Sequence, residues 1–182
     1  MSPLAVIPAF ADAATQSVAA VPARIETHAG QPFSVQLRND VIAAPADAHF
    51  SGLGVRVHFD SRRLRFVGFA NVLAVGKLAE DPAPAEDRKD VDHDPSTDRF
   101  VQVARVDVQA NWPGASRSPL NLLEARFVAT PGPAAIFVRV SSSGTAPGAQ
   151  FTATPAEVTI RQSRHLCARP DRLRLVAFRA TL

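Results

Sequence analysis

The sequence predicts an all-β fold: a two-sheet antiparallel β-sandwich, jelly-roll-like, with about nine strands. Three observations carry that expectation. Fifteen prolines and nine glycines among 182 residues interrupt the chain every few positions, which favours short strands joined by turns over long helices. Apolar and polar residues alternate with period two in one segment after another. Hydrophobic residues make up 46% of the chain, enough for the core of one domain, and no run approaches the ~18 apolar residues of a membrane-spanning helix.

The strands follow in order from Pro22. Ala23 to Thr27 leads through a Gly30 turn into Pro32–Leu37, where Phe33, Val35 and Leu37 share one face and Ser34 and Gln36 the other. Asn39-Asp40 ends that strand. The strongest alternation is Leu53 to Asp60, with Leu53, Val55, Val57 and Phe59 set against Gly54, Arg56, His58 and Asp60. It reads as a half-buried strand, and its polar phase makes His58 a solvated histidine and neither a ligand nor a base. Asp60-Ser61 then turns the chain into Leu64–Val67. Asn71 to Leu78 is ambiguous between helix and strand.

Phe100 to Val108 is long and β-branched. Leu120 to Ala129 puts Leu123, Ala125 and Phe127 in one phase, and a Pro131-Gly132-Pro133 turn leads into Ala135–Val140. Ser141 to Ser143 read as a turn before Gln150–Ala153 and the closing strand Ala156–Ile160. Leu53, Val55, Val57, Phe59, Val101, Val103 and Phe127 are the expected core. One stretch breaks the grammar. Glu80 to Asp98 carries eight acidic residues against Arg88 and Lys89 and reads as a long surface loop.

Five of these segments together resemble a cohesin module, the β-sandwich that holds dockerin partners in cellulosomes. The resemblance rests on Gly30-Gln31-Pro32-Phe33-Ser34-Val35-Gln36-Leu37, on Gly52–Asp60 followed by Leu64-Arg65-Phe66-Val67, and on Leu122–Phe127 with the closing Ala156–Ile160. It covers roughly residues 20–160. It implies a nine-stranded jelly-roll-like sandwich that binds a dockerin-like or other surface protein through one sheet face. Some cellulose-binding modules share the architecture, so the resemblance leaves a polysaccharide ligand as the alternative.

One constellation has metal-binding chemistry. Asp90, Asp92, Asp94 and Asp98 place carboxylates at positions 1, 3, 5 and 9 of a loop, where their oxygens can converge on one calcium ion. The loop is not an EF-hand, since Pro95 stands where that loop has glycine. The alternative is a merely solvated acidic loop. Catalytic signatures are absent from the sequence: there is no G-x-S-x-G, no H-E-x-x-H, no P-loop and no G-x-G-x-x-G. The expectation is therefore a non-catalytic binding module. Trp112, in Asn111-Trp112-Pro113-Gly114, is the one tryptophan, either a stacking platform for a ligand or a loop anchor on the sandwich edge.

The ends differ from the body. Residues 1–14 finish in Ala11-Asp12-Ala13 and read as the remnant of a secretory signal peptide or as an alanine-rich terminus, which points to a secreted or cell-surface protein. Residues 161–182 carry six arginines against Asp171 alone, so the net charge of +3 belongs to this tail and the body is mildly acidic. An excess of positive charge confined to a terminal segment, without interleaved aromatics on a folded face, speaks against nucleic-acid binding. The tail is a polyanion contact, an extra strand or sequence foreign to the domain. Cys167 stands alone, so no internal disulfide forms.

Overall fold

A computed structural model describes residues 14–42, 50–73, 77–107, 118–132 and 134–162. Eleven strands make two sheets, and no helix occurs among the described residues. The strands are β1 (Thr15–Val21), β2 (Arg24–His28), β3 (Pro32–Ile42), β4 (Gly52–Phe59), β5 (Leu64–Ala70), β6 (Lys77–Glu86), β7 (Arg99–Val106), β8 (Leu120–Ala129), β9 (Ala134–Gly144), β10 (Gln150–Thr154) and β11 (Ala156–Arg161). One sheet runs β10-β1-β3-β8-β5 and the other β2-β11-β9-β4-β7-β6. Most neighbours are antiparallel, as expected. The edge pairs β1–β10 and β2–β11 are parallel, because the chain's two ends return to the same rims of the sandwich.

The period-two pattern does what it predicts. Val35 and Leu37 of β3, Leu53, Val55, Val57 and Phe59 of β4, Val101 and Val103 of β7, and Phe127 of β8 are all buried between the sheets. Phe59, Phe66 and Phe127 meet edge-on or offset at ring separations of 5.4–6.3 Å. Buried Gln16 sits across this core, donating from Nε2 to the Gly52 carbonyl at 3.0 Å and accepting from the Ala146 amide at 3.1 Å. Its polar ends are satisfied, which is the condition for keeping an amide inside.

Two segments fold differently from the sequence expectation. The stretch Glu80–Glu86 is not loop: it continues β6, which pairs antiparallel with β7 through a register shift between Asp81 and Ala85. Prolines at 82 and 84 fit there because β6 is a sheet edge, where a missing N–H breaks no ladder. Ser141–Ser143 are not a turn either. They extend β9 to Gly144 and pair with β4.

The strand β4 is buried on both faces, not on one. Its inner face meets the core. Its outer face is covered where the β6–β7 connection, residues 87–98, folds back over the sheet. Arg139 Nε on β9 holds Asp94 of this loop at 2.6 Å, and Ser61 beyond β4 holds Asp98 at 2.6 Å. His58, on the polar phase, is accordingly fully buried and not solvated.

Candidate functional site

The site lies where the acidic loop meets the outer face of β4 and β9. Register puts His58 opposite Phe100 on β7 and Arg139 on β9, with Ser141 two places along. His58 Nε2 is 2.7 Å from Ser141 Oγ. His58 Nδ1 faces the loop, 2.9 Å from Asp87 Oδ2 and 3.8 Å from Asp92 Oδ1. The side chains of His58, Asp87 and Asp92 are 0%, 1% and 3% exposed. Burial pushes the imidazole below its ordinary pKa, and the attraction of Asp92 and Asp87 only partly opposes that.

Short-range hydrogen bonds dictate the loop's shape. Asp87 accepts from the Val91 amide, and the Asp87 amide reaches the Asp98 carbonyl at 3.0 Å, closing the loop at its base. Asp90 and His93 adopt positive φ, 48° and 56°, a conformation that short polar side chains tolerate in turns. Asp94 takes the Ser96 amide and hydroxyl, and Thr97 donates its hydroxyl to Asp92 Oδ2 at 2.8 Å.

These partners separate the four carboxylates expected to share calcium. Asp94 is turned to Arg139 and Ser96, and hydrogen bonding from the Ser96 hydroxyl, aided by Arg139, holds its carboxyl below the usual range. Asp98 is turned to Ser61. Burial raises its pKa, but the Ser61 hydrogen bonds and the Arg62 charge outweigh that and hold it low. Among the described residues the acidic and imidazole groups within reach of one ion are His58, Asp87 and Asp92. Of Asp90, Asp92, Asp94 and Asp98, Asp92 alone belongs to that group. Sequence spacing placed the carboxylates on one loop, but tight turns aim alternate side chains at different partners. Trp112 lies outside the described residues.

Sequence reasoning missed His58, Asp87 and Ser141. No signal in the sequence marked the histidine, since a period of two does not tell whether a loop covers the outer face of β4.

Ser141, His58 and Asp87 follow the atom order of a hydrolytic triad. Such a triad requires the carboxylate to accept the Nδ1 proton in line. Here Asp87 Oδ2 is near enough but off the direction of a hydrogen bond from Nδ1, which has no such partner. The cations beside Ser141 are also engaged, Arg139 by Asp94 and Arg56 Nη1 by the Ser142 carbonyl at 2.7 Å. The arrangement is a buried polar junction between loop and sheet.

No family model and no curated protein matches the sequence. Solved structures do match. The seventh ScaB type I cohesin from Pseudobacteroides cellulosolvens aligns with 84% of this chain and 96% of its own, at 8% identity and a TM-score of 0.56. A type I cohesin–dockerin complex of OlpA from Clostridium thermocellum aligns with 82% of this chain and 100% of the matched one, at 8% identity and a TM-score of 0.53. The cohesin module of a Clostridium perfringens family 33 glycoside hydrolase aligns with 82% and 98%, at 9% identity and a TM-score of 0.53. Identities this low carry fold alone, and the alignments span nearly the whole of each module. The chain has the cohesin fold.

Proposed function

We propose that this chain is a non-catalytic, extracellular or cell-surface binding module whose partner is a protein of the dockerin class. The observation that carries the reading is the likeness, over more than four-fifths of the chain, to cohesin modules that include one solved with its dockerin. The surface agrees with a protein partner. Among the described residues the exposed large apolar side chains are Ile42, Val67, Val106 and Phe137, three of them aliphatic. A polysaccharide platform needs flat aromatics in a row, and Phe137 by itself does not make one. Calcium has no part in the proposal, since the loop it was expected to order is tied by its own hydrogen bonds.

Native mass spectrometry tests the reading. The chain is mixed with type I and type II dockerin modules in one arm and with soluble cello- and xylo-oligosaccharides in the other. A one-to-one complex with a dockerin supports the proposal. Complexes with the oligosaccharides and none with dockerins would replace it by the sugar-binding alternative.

A further inference from the structure

We propose that His58 Nδ1, Asp87 Oδ2 and Asp92 Oδ1 bind one divalent cation of the zinc class beneath the acidic loop. Three observations converge on it. The three atoms lie within 4.8 Å of one another, with Nδ1 at 2.9 Å and 3.8 Å from the two oxygens. Ligands of an ion held at about 2.0–2.2 Å stand roughly 3–4 Å apart. Their side chains are at least 97% buried. Both His58 Nδ1 and Asp92 Oδ1 lack a hydrogen-bond partner, so the two oxygens flank the ring nitrogen with neither along its hydrogen-bonding direction. That is how ligands surround a central ion, and it is not how a carboxylate accepts a proton.

The outer atoms of the same side chains are all held. Ser141 Oγ lies 2.7 Å from His58 Nε2, and with Nε2–H donating to it the Nδ1 lone pair is available for metal. Thr97 holds the second oxygen of Asp92, and the Val91 amide is shared between both oxygens of Asp87 at 3.2 Å. Supporting contacts of this kind orient metal ligands and raise affinity. Two carboxylates only 1% and 3% exposed call for positive charge beside them, and a divalent cation supplies it.

The donor set selects the ion. Calcium takes six to eight oxygens, and this cluster offers an imidazole nitrogen and two carboxylates. One nitrogen and two oxygens suit zinc and its first-row neighbours, with water completing the shell. A cavity of about 410 Å³ lined by Asp87 and a second of about 290 Å³ lined by Asp92 and Ser141 lie beside the cluster. The ion would join two loop carboxylates to β4, so its role is to fasten the loop to the sheet.

The test uses the untagged full chain, freed of metal by a chelator and titrated calorimetrically with zinc chloride, manganese chloride or calcium chloride. The expected result is one equivalent of zinc bound, a higher melting temperature, and no comparable heat from calcium. Asp92→Asn should weaken zinc by at least about 100-fold, and Ser141→Ala, which removes only the supporting hydroxyl, by about 10- to 100-fold. Glu157→Gln, on β11, should change nothing. Cobalt substitution gives a second readout: a visible absorption band in the parent that is lost in a folded Asp92→Asn variant. The proposal is overturned if neither zinc nor cobalt binds saturably. It is overturned equally if zinc binding survives Asp92→Asn unchanged or if calcium binds more tightly.

Discussion

Arg139 Nε on β9 lies 2.6 Å from Asp94 Oδ2, and this one ion pair joins the middle of the acidic loop to the sheet it covers. Its side chains are 35% and 14% exposed, so water screens the attraction in part. Arg139→Met keeps most of the stem and removes the charge. We expect a loss of about 1 kcal/mol. Amide exchange should speed up across residues 87–98 and stay slow in β8. Unchanged exchange in the loop would mean that the Asp98–Ser61 contact and the His58 junction hold it without this pair.

Val57 is fully buried between the sheets, in the middle of β4. Val57→Asp places a carboxylate there without a partner, at a cost of about 3–5 kcal/mol. For a chain of this size that lowers the melting temperature by about 10 °C. A variant melting within a degree or two of the parent would show that β4 faces the other way.

Gly52 opens β4 at φ 138°, a conformation L side chains rarely adopt, and a methyl group there would run into the Arg105 carbonyl of β7. Its own carbonyl accepts the buried Gln16 side chain. Gly52→Ala should therefore destabilise by about 2–4 kcal/mol, from strain plus a displaced hydrogen bond. A melting temperature equal to the parent's would contradict this close approach of β4 and β7. Gly30 is the comparison: it also has positive φ, but open space surrounds its missing side chain.

Arg161, the last residue of β11, donates from both Nε and Nη2 to Glu26 on β2. Hydrogen bonding and charge from Arg161 hold the Glu26 carboxyl below its ordinary pKa. A lowered folded value means the pair contributes above the ordinary glutamate pKa and is lost as pH falls through the lowered one. A carboxyl-carbon NMR titration should give Glu26 a midpoint below its ordinary value in the parent and near it in Arg161→Ala. Truncation after Arg161 keeps the pair and should leave both the titration and the melting temperature unchanged. A truncated chain that fails to fold would assign a strand to residues 162–182.

Much of the fold was legible because burial imposes a period on it. Every residue named for the core from β4, β7 and β8 is buried, since alternation in a strand records which face meets the other sheet. The strand β6 was hidden because an edge tolerates proline and acidic residues that a central strand would reject. His58 was misread for the converse reason. Its phase was assigned correctly to the outer face, but nothing in a two-residue period tells whether a distant loop covers that face. The acidic loop was legible as a unit and not as a site. Spacing named Asp92, while Asp87 and His58 come beside it through tertiary folding that spacing does not encode.

The role proposed for this cohesin fold is to bind a dockerin-class protein. Calorimetric titration of the intact chain with purified type I and type II dockerin modules tests it most directly. Saturable one-to-one binding to a dockerin is expected, with a negative heat-capacity change from buried apolar surface. Absence of heat with both dockerin types, together with co-sedimentation of the chain on insoluble cellulose, would contradict it.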